Sequence, residues 1–224
     1  MKILVVAAHP DDETLGAGGT IAKHVSAGDD VSVLILGQGI ASRKEGGEDV
    51  SKEIEALRSD SRRALAKLGV KEAAFQDFPD NKFDSVPLLD VIKAVEKIVS
   101  EKKPGTIYTH HHGDLNVDHR MTFKAVITAC RPVGSSVKKL LCFETLSSTE
   151  WNVQNSDTAF LPNKFVDISS TLEKKLSALR EYKSEMKKFP HPRSLEGVET
   201  LAKMRGMAVG LKAAEAFEVI REIS

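Results

Sequence analysis

A histidine and a run of acidic residues follow the first apolar segment of the chain, residues 3–8. His9 is followed by a proline and then by Asp11 and Asp12. An imidazole and a carboxylate three residues apart can turn towards one point, and both are ligand types that suit zinc. The alternative is that Asp11 and Asp12 only cap the helix that follows, where negative charge is favoured. Two aspartates, the preceding histidine and the proline together favour a metal site.

The glycines that follow these acids do not form a nucleotide-binding turn. Gly16, Gly18 and Gly19 lack the G-x-G-x-x-G spacing, and the strand-to-helix turn carries carboxylates, which would repel a pyrophosphate. We therefore expect the glycines to lie inside the first helix and to let that helix pack closely on the sheet.

A second cluster of histidines and aspartates follows a later predicted strand. Four of the seven histidines fall within residues 110–120, which read HHHGDLNVDHR. Catalytic zinc usually has three protein ligands and one open position, so a third ligand is expected in this cluster. Solvent exposure would explain any one of these histidines. Two turns rich in histidine and aspartate at one edge of a sheet favour a shared metal site.

The elements that would position these residues follow a repeated strand–helix pattern. Apolar, β-branched runs at 2–8, 31–36, 74–78 and 106–109 alternate with helical patterns at 15–27, 51–68 and 87–100. The strands lack period-two alternation, as expected when both faces of a parallel sheet are covered. The sequence therefore predicts an α/β fold, a Rossmann-like three-layer sandwich with a mostly parallel sheet. Such sheets bind ligands at the carboxyl ends of their strands, where the metal site is expected.

The last third of the chain is predicted to contain two strands followed by two helices. The strands are residues 140–146 and 164–168. Ser170 and Glu173 have the spacing of a capping box, which would open a helix that ends near residues 189–190. A final helix is predicted over residues 196–223, with a core-facing stripe formed by Leu201, Met204, Ala208, Leu211 and Phe217.

Length and composition limit the classes of protein to which the chain can belong. Its 224 residues, 41% hydrophobic and 29% charged, predict one globular domain over residues 1–224. The formal net charge is zero and lysines are interleaved with glutamates, so no nucleic-acid binding is predicted. Cys130 and Cys142 are far apart and are expected to be reduced thiols of a cytoplasmic protein. No apolar run approaches the ~18 residues of a membrane span, and no signal peptide is predicted.

Two motifs of the sequence resemble those of a known family. The opening "AHPDDE…GGT" and the later "HHxDxNxDHR" resemble the PIG-L (LmbE-like) family of zinc-dependent N-acetylglucosaminyl deacetylases. The blocks "FETLSSTEW", "KLSALREYKSEM", "FPHPRS" and "RGMAVGLKAAEAF" extend the resemblance over nearly the whole chain. The resemblance implies a single LmbE-like deacetylase domain of Rossmann-like fold. It also implies Zn²⁺ as cofactor, although other divalent transition metals share these ligand types.

The resemblance assigns roles to four residues. His9, Asp12 and His119 are implied to be the metal ligands, and Asp11 the general base of a hydrolysis that removes the acetyl group from an N-acetylated amino sugar or its conjugate. The products would be acetate and a free amine. The partner would be this small molecule, and relatives suggest a homo-oligomer. The alternative is a metal-containing carbohydrate-binding member with no or different hydrolytic activity, but no ligand role requires Asp11.

One position departs from the family pattern. Several relatives carry His-Pro-Asp-His in the second motif, and their first histidine assists the oxyanion, whereas here Asn116 opens the corresponding four residues. An amide can donate a hydrogen bond but supplies no positive charge. Either Asn116 or His191 is therefore expected to assist the oxyanion. Asp118 either orients a ligand imidazole or caps the helix that begins near His119.

Further polar residues are candidate substrate contacts. Trp151 either walls a sugar site or anchors its loop. For the charged candidates the alternative to a substrate contact is a solvated charge or a simple turn. These candidates are Arg43, Asp80, Asp114 and Arg193.

Overall fold

The computed structural model describes residues 1–40 and 50–224. Within these residues the strands are β1 (Lys2–Ala7), β2 (Asp30–Gly37), β3 (Glu72–Phe78), β4 (Thr106–His110), β5 (Lys139–Phe143), β6 (Lys164–Asp167) and β7 (Ala214–Glu222). The helices are α1 (Asp12–Ser26), α2 (Ser51–Leu68), α3 (Leu88–Lys102), α4 (Val117–Ala129), α5 (Leu172–Leu179) and α6 (Leu195–Met207). No helix in the described ranges is long and apolar enough to cross a membrane.

The strands form one seven-stranded sheet in the order β3-β2-β1-β4-β5-β7-β6. The first five are parallel, and β7 lies antiparallel between β5 and β6. The chain runs outwards from β1 to β3 and then returns to add β4 beside β1. The carboxyl ends of β1 and β4 therefore adjoin the point where the strand order reverses, which is where open α/β sheets bind ligands.

Two apolar layers cover the two faces of the sheet. In β1, Ile3 and Val5 pack into the layer with α1, α2, α5 and α6, whereas Leu4 and Val6 pack into the layer with α3 and α4. Each of these four side chains is at most 2% exposed. The absence of period-two alternation in the sequence follows from this burial on both faces. The predicted three-layer α/β fold with a mostly parallel sheet is confirmed.

The glycines of α1 allow close packing on the sheet, as predicted. A Cβ atom at Gly16 would lie 2.2 Å from the ring of Phe143 in β5. At Gly19 it would lie 2.8 Å from Ile168. These contacts leave no room for a methyl group, so they fix α1, and the turn before it, against the sheet.

The prediction of a final helix over residues 196–223 is wrong. Helix α6 ends at Met207, Gly210 then adopts a φ of 76°, and the chain continues as strand β7. The first five residues of β7 are buried, with Phe217 in the core, and hydrogen bonds to two neighbouring strands outweigh the helical propensity of the segment.

The helix predicted over residues 170–190 is also shorter than expected. Helix α5 ends at Leu179, and turns occupy the chain from there to α6. The capping box does not form: Thr171 holds the N-cap position and donates its hydroxyl to the carbonyl oxygen of Gly19 at 2.9 Å. The irregular chain after α5 carries side chains that enter the site described below.

Candidate metal centre and active site

The two predicted turns meet at the carboxyl ends of β1 and β4. His9 follows β1, Asp12 begins α1, and His119 lies in the first turn of α4. One ligand atom of each of these three residues lies within 4.8 Å of the other two. Asp12 Oδ2 is 3.3 Å from His9 Nδ1 and 3.2 Å from His119 Nε2. Two imidazoles and a carboxylate therefore converge on one point.

Unpaired polar atoms in this cluster fit a bound cation. Asp12 Oδ1 and His119 Nε2 are buried, and neither has a hydrogen-bond partner in the part of the chain that the structure describes. Burial alone would raise the pKa of Asp12, but His119 holds it well below its ordinary value. The carboxylate is thus ionised, and two histidine nitrogens with one carboxylate form a donor set suited to a divalent transition metal.

Carboxylates fix the orientation of His9. Its Nε2 lies 2.9 Å from Asp118 Oδ2 and 3.3 Å from Asp80 Oδ1. Asp118 is itself held by the backbone N–H groups of Asn81 (2.6 Å) and Phe83 (2.9 Å). The other ring nitrogen, Nδ1, is therefore turned towards Asp12. One of the two roles predicted for Asp118 was to orient a ligand imidazole. The imidazole that it contacts is that of His9 and not that of the neighbouring His119.

Asp114 fixes the orientation of His119. Asp114 Oδ1 lies 3.0 Å from His119 Nδ1, and its carboxylate accepts hydrogen bonds from the hydroxyls of Ser148 and Thr149 and from the backbone N–H of Asn116. Asp114 is fully buried. Its prediction as a substrate contact is therefore wrong, because its oxygens face protein donors and not solvent.

Asp11 is buried beside the cluster in an unusual backbone conformation. Its φ of 109° is in the region that favours glycine, and its backbone N–H donates to Glu13 Oε2 at 3.1 Å. Burial raises the pKa of Asp11 well above its ordinary value; Arg193 opposes this effect and Asp12 adds to it. Asp11 occupies the N-cap position of α1 without a side-chain capping bond, so helix capping does not explain the residue.

Arg193 reaches the site from the chain that precedes α6, and His191 lies beside Arg193 but does not line the cavity. Arg193 Nη1 donates to Asp11 Oδ2 at 3.0 Å and lies 3.7 Å from Glu185 Oε2. The backbone N–H of Arg193 donates to His191 Nδ1 at 3.1 Å, so a neutral His191 carries its proton on Nε2. The His191 ring packs edge-on against Trp151 at 5.6 Å.

Asn116 serves as the N-cap of α4. Its Oδ1 accepts the backbone N–H of Asp118 at 2.8 Å, and its Nδ2 donates to Asn81 Oδ1 at 3.1 Å. The second hydrogen of Nδ2 is not used by these contacts. Asn116 therefore keeps one donor for a ligand at the site.

A small cavity of about 60 Å³ opens at the cluster. Of the predicted substrate contacts, Asp80 and Arg193 line it, although Asp80 is only 3% exposed and also supports His9. Arg43 lies outside the described residues. The full lining is His9, Pro10, Asp11, Gly39, Asp80, Asn81, Asn116, Glu185 and Arg193.

The other histidines of the second cluster are not in the donor set. His110 is buried beneath the site, where its Nε2 accepts the backbone N–H of Ala8 at 2.9 Å and its ring stacks on His119 at 3.9 Å. Burial and the neighbouring His119 lower the pKa of His110 well below its ordinary value, so it is neutral. His111 lies on the far side of the loop, with Nδ1 2.6 Å from Glu218 Oε2 and Nε2 3.0 Å from Thr158 O.

Two residues that support Asp11 were not predicted from the sequence. Tyr182 donates its hydroxyl to Glu13 Oε1 at 2.6 Å, and Glu13 in turn receives the backbone N–H of Asp11. Glu13 belongs to the acidic run after His9, which could have identified it. Tyr182 is 169 residues away along the chain, and no spacing in the sequence links the two.

Comparisons with known proteins identify relatives of this chain. The family model PIG-L, described as GlcNAc-PI de-N-acetylase, matches residues 4–130. Over 188 residues the chain is 29% identical to the uncharacterized deacetylase YaiS of Escherichia coli, covering 81% of the chain and 90% of that protein. Over 192 residues it is 30% identical to the diacetylchitobiose deacetylase of Thermococcus kodakarensis, covering 82% and 70%.

Solved structures show the same fold. The N,N'-diacetylchitobiose deacetylase of Pyrococcus horikoshii, complexed with its inhibitor MPG, superposes with a TM-score of 0.79 at 22% identity, covering 98% of this chain and 84% of that one. The conserved protein TT1542 of Thermus thermophilus gives a TM-score of 0.77, also at 22% identity, covering 99% and 96%.

Proposed function

Because the chain belongs to the PIG-L family, as its motifs predicted, we propose that it is a metal-dependent N-deacetylase. The substrate is an N-acetylated amino sugar or its conjugate, and the products are acetate and a free amine. The observation that carries the proposal is the buried carboxylate of Asp11 beside the convergent donors of His9, Asp12 and His119. A site that only bound metal would have no use for Asp11.

The three donors would hold the metal, and Zn²⁺ is the cofactor that their chemistry favours. Two imidazoles and one carboxylate leave a coordination position open, as in catalytic zinc sites. When bound, the ion supplies a Lewis acid that polarises the amide carbonyl and acidifies water. Asp118 and Asp114 hold the ligand histidines in place, so the donor set is preorganised before the ion binds.

Asp11 is the residue that moves protons. Its raised pKa brings this carboxyl closer to neutral pH, where a general base works best. It takes a proton from the attacking water and returns it to the departing amine. Arg193 fixes the carboxylate through the bond to Oδ2, and Glu13 fixes the backbone N–H. Contacts to its side chain and to its backbone N–H thus hold Asp11 in its strained backbone conformation.

Asn116 and His191 are the candidates for stabilising the oxyanion. Asn116 lines the cavity and has one free N–H for a ligand. His191 presents Nε2–H and is tied to the site through Arg193. A hydrogen bond from a neutral amide is weaker than one from a charged donor. Asn116 and His191 acting together would therefore do what a single histidine does in several relatives, which is to stabilise the oxyanion.

The experiment is acetate release from a panel of N-acetylated sugars, glycosides and nucleotide sugars, with and without added zinc. Acetate should appear in a metal-dependent manner. The Asp11→Asn variant should retain its metal and lose about 100-fold or more of the rate, the contribution expected of a general base.

The matched control is Asp90→Asn, because Asp90 is an exposed aspartate in the first turn of α3. It should be as active as the wild type. Equal activity of Asp11→Asn and wild type at equal metal content would remove Asp11 from the reaction. Absence of acetate from every sugar, with metal bound stoichiometrically, would favour the carbohydrate-binding alternative.

A further inference from the structure

Trp151 is exposed at the mouth of the site although its backbone is firmly held. Trp151 ends the short 3₁₀ turn Thr149–Trp151, and the residue is 53% exposed. The backbone N–H of Trp151 donates to Ser148 O at 3.2 Å, and the next residue, Asn152, donates its Nδ2 to Gly113 O at 2.7 Å. A tryptophan that only anchored its loop would be buried, so this ring is presented to solvent by a fixed backbone.

The indole is connected to both halves of the active site. On one side, Thr149 of the same turn donates to Asp114, the residue that orients His119. On the other side, the indole packs edge-on against His191 at 5.6 Å, and His191 accepts the backbone N–H of Arg193. The exposed ring therefore lies next to the segments that carry a metal ligand and the partner of Asp11.

Two further exposed apolar side chains come from the same segments. Leu115, between Asp114 and Asn116, is 48% exposed, and Phe189, two residues before His191, is 59% exposed. A single exposed apolar residue is ordinary on a protein surface. Leu115 and Phe189 therefore add apolar surface on the segments that build the site, and Trp151 is the aromatic ring among the three.

The size of the cavity shows which part of a substrate can enter it. Its volume of about 60 Å³ is far below the ~300–1,000 Å³ of pockets that enclose a whole ligand. The cavity therefore takes the acetamide end of the substrate, and the sugar rings lie outside it. Two residues link Asp11 to Trp151: Arg193 Nη1 is 3.0 Å from Asp11 Oδ2, and the ring of His191, bonded to the Arg193 backbone, is 5.6 Å from the indole. A sugar ring with its acetamide at Asp11 would lie over these two residues, and the next ring would reach the indole.

We propose that Trp151 binds the second sugar ring of a disaccharide substrate, the ring that is linked to the N-acetylated one. This proposal rests on the proposed N-deacetylase function. The C–H face of a pyranose is apolar and packs flat on an aromatic ring, while its hydroxyls stay in water. The preferred substrate is then an N-acetylated disaccharide, and the free N-acetylated monosaccharide is turned over less efficiently because it cannot reach the indole.

The test compares N-acetylglucosamine with N,N'-diacetylchitobiose as substrates of the zinc-loaded protein. Wild type should show the higher kcat/KM on the disaccharide. Trp151→Ala also removes the packing partner of His191, so some loss on both sugars is expected, but kcat/KM should fall about tenfold more on the disaccharide than on the monosaccharide. Trp151→Phe keeps an aromatic face and should retain most of the preference. Leu89→Ala, which removes a 60% exposed side chain on α3, is the control and should change neither value.

A second readout does not depend on turnover. Trp151 is the single tryptophan of the chain, so emission excited at wavelengths that tyrosine does not absorb reports this ring alone. In the Asp11→Asn variant loaded with zinc, the disaccharide should change the emission at concentrations where the monosaccharide does not. Equal losses on both sugars in Trp151→Ala, or no emission change with the disaccharide, would overturn the subsite. Absence of acetate from every sugar of the panel described above would instead refute the proposed function, and the emission titration would still decide the subsite.

Discussion

Replacing Asp114 with asparagine should weaken metal binding while the protein stays folded. Asp114 Oδ1 lies 3.0 Å from His119 Nδ1, and the carboxylate also accepts two hydroxyls and the backbone N–H of Asn116. Asparagine has the same shape but only one accepting oxygen. Its N–H₂ group must face either the imidazole or the hydroxyls, and the histidine loses its anionic partner in both orientations.

The size of the effect follows from the burial of the pair. Removing the carboxylate that orients a ligand histidine costs about 10- to 100-fold in metal affinity, or about 1.4 to 2.7 kcal/mol. Asp114 and His119 are both fully buried, so water cannot replace the lost partner. We therefore expect a loss near the upper end of this range. Ser148 and Thr149 can rotate their hydroxyls, which limits the accompanying loss of stability.

The assay is competition for zinc between the protein and a chelator of known affinity, with the unfolding of the metal-free protein measured in parallel. Asp90→Asn is the matched control, since the same change is made there at an exposed position. A metal affinity of Asp114→Asn equal to that of wild type, in a folded protein, would refute the role of Asp114 in orienting His119. A large loss of stability in the metal-free variant would show that Asp114 acts on folding instead.

Three further changes test the packing around the site. Lys175→Met removes the partner of buried Glu215, a 2.6 Å ion pair, and should cost about 3 kcal/mol of unfolding free energy in urea titration, whereas Lys174→Met on the exposed side should cost far less. Tyr182→Phe removes the hydroxyl bonded to Glu13 and should cost about 1–2 kcal/mol, with kcat for acetate release falling more than KM changes. Burial opposes the protonation of His111, but Glu218 and Thr158 raise its pKa above 6.5. Protonated His111 therefore contributes its full stabilisation below about pH 6.5, and this contribution is lost as the pH rises through the raised pKa. The difference in unfolding free energy between wild type and His111→Gln, measured in the metal-loaded protein, should therefore shrink as the pH is raised, and a constant difference would contradict the assignment.

The parallel half of the fold could be predicted because its strands are buried on both faces. Residues such as Ile3, Leu4, Val5 and Val6 are apolar without alternation, and this pattern is visible in the sequence. Strand β7 could not be recognised in this way. Its partner strands β5 and β6 lie at least 71 and 47 residues earlier in the chain. Its own sequence, rich in alanine and glutamate, is compatible with a helix and does not indicate these partners.

The candidate metal donors were predicted partly from chemistry and partly from the resemblance. His9 and Asp12 stand out by residue type and by their place after β1, whereas His119 was chosen from the histidines of the second cluster through the family motif. The functions of Asp114 and Asp118 depend on which loop donors reach each carboxylate. Loop geometry is set by packing and not by local sequence, which is why a buried orienting residue was predicted to be a substrate contact.

The position of β7 in the sheet has a consequence for how the chain folds. Among the strands of residues 1–40 and 50–224, β6 pairs only with β7, so it stays unpaired until residues 214–222 have left the ribosome. Until then β5 presents an open edge of the type that recruits other chains. Synthesis proceeds at about 5–20 residues per second, so this edge is exposed for several seconds after β5 emerges. A nascent chain of this protein is therefore most exposed to aggregation between the emergence of β5 and that of β7, when His9, Asp12 and His119 are already outside the ribosome.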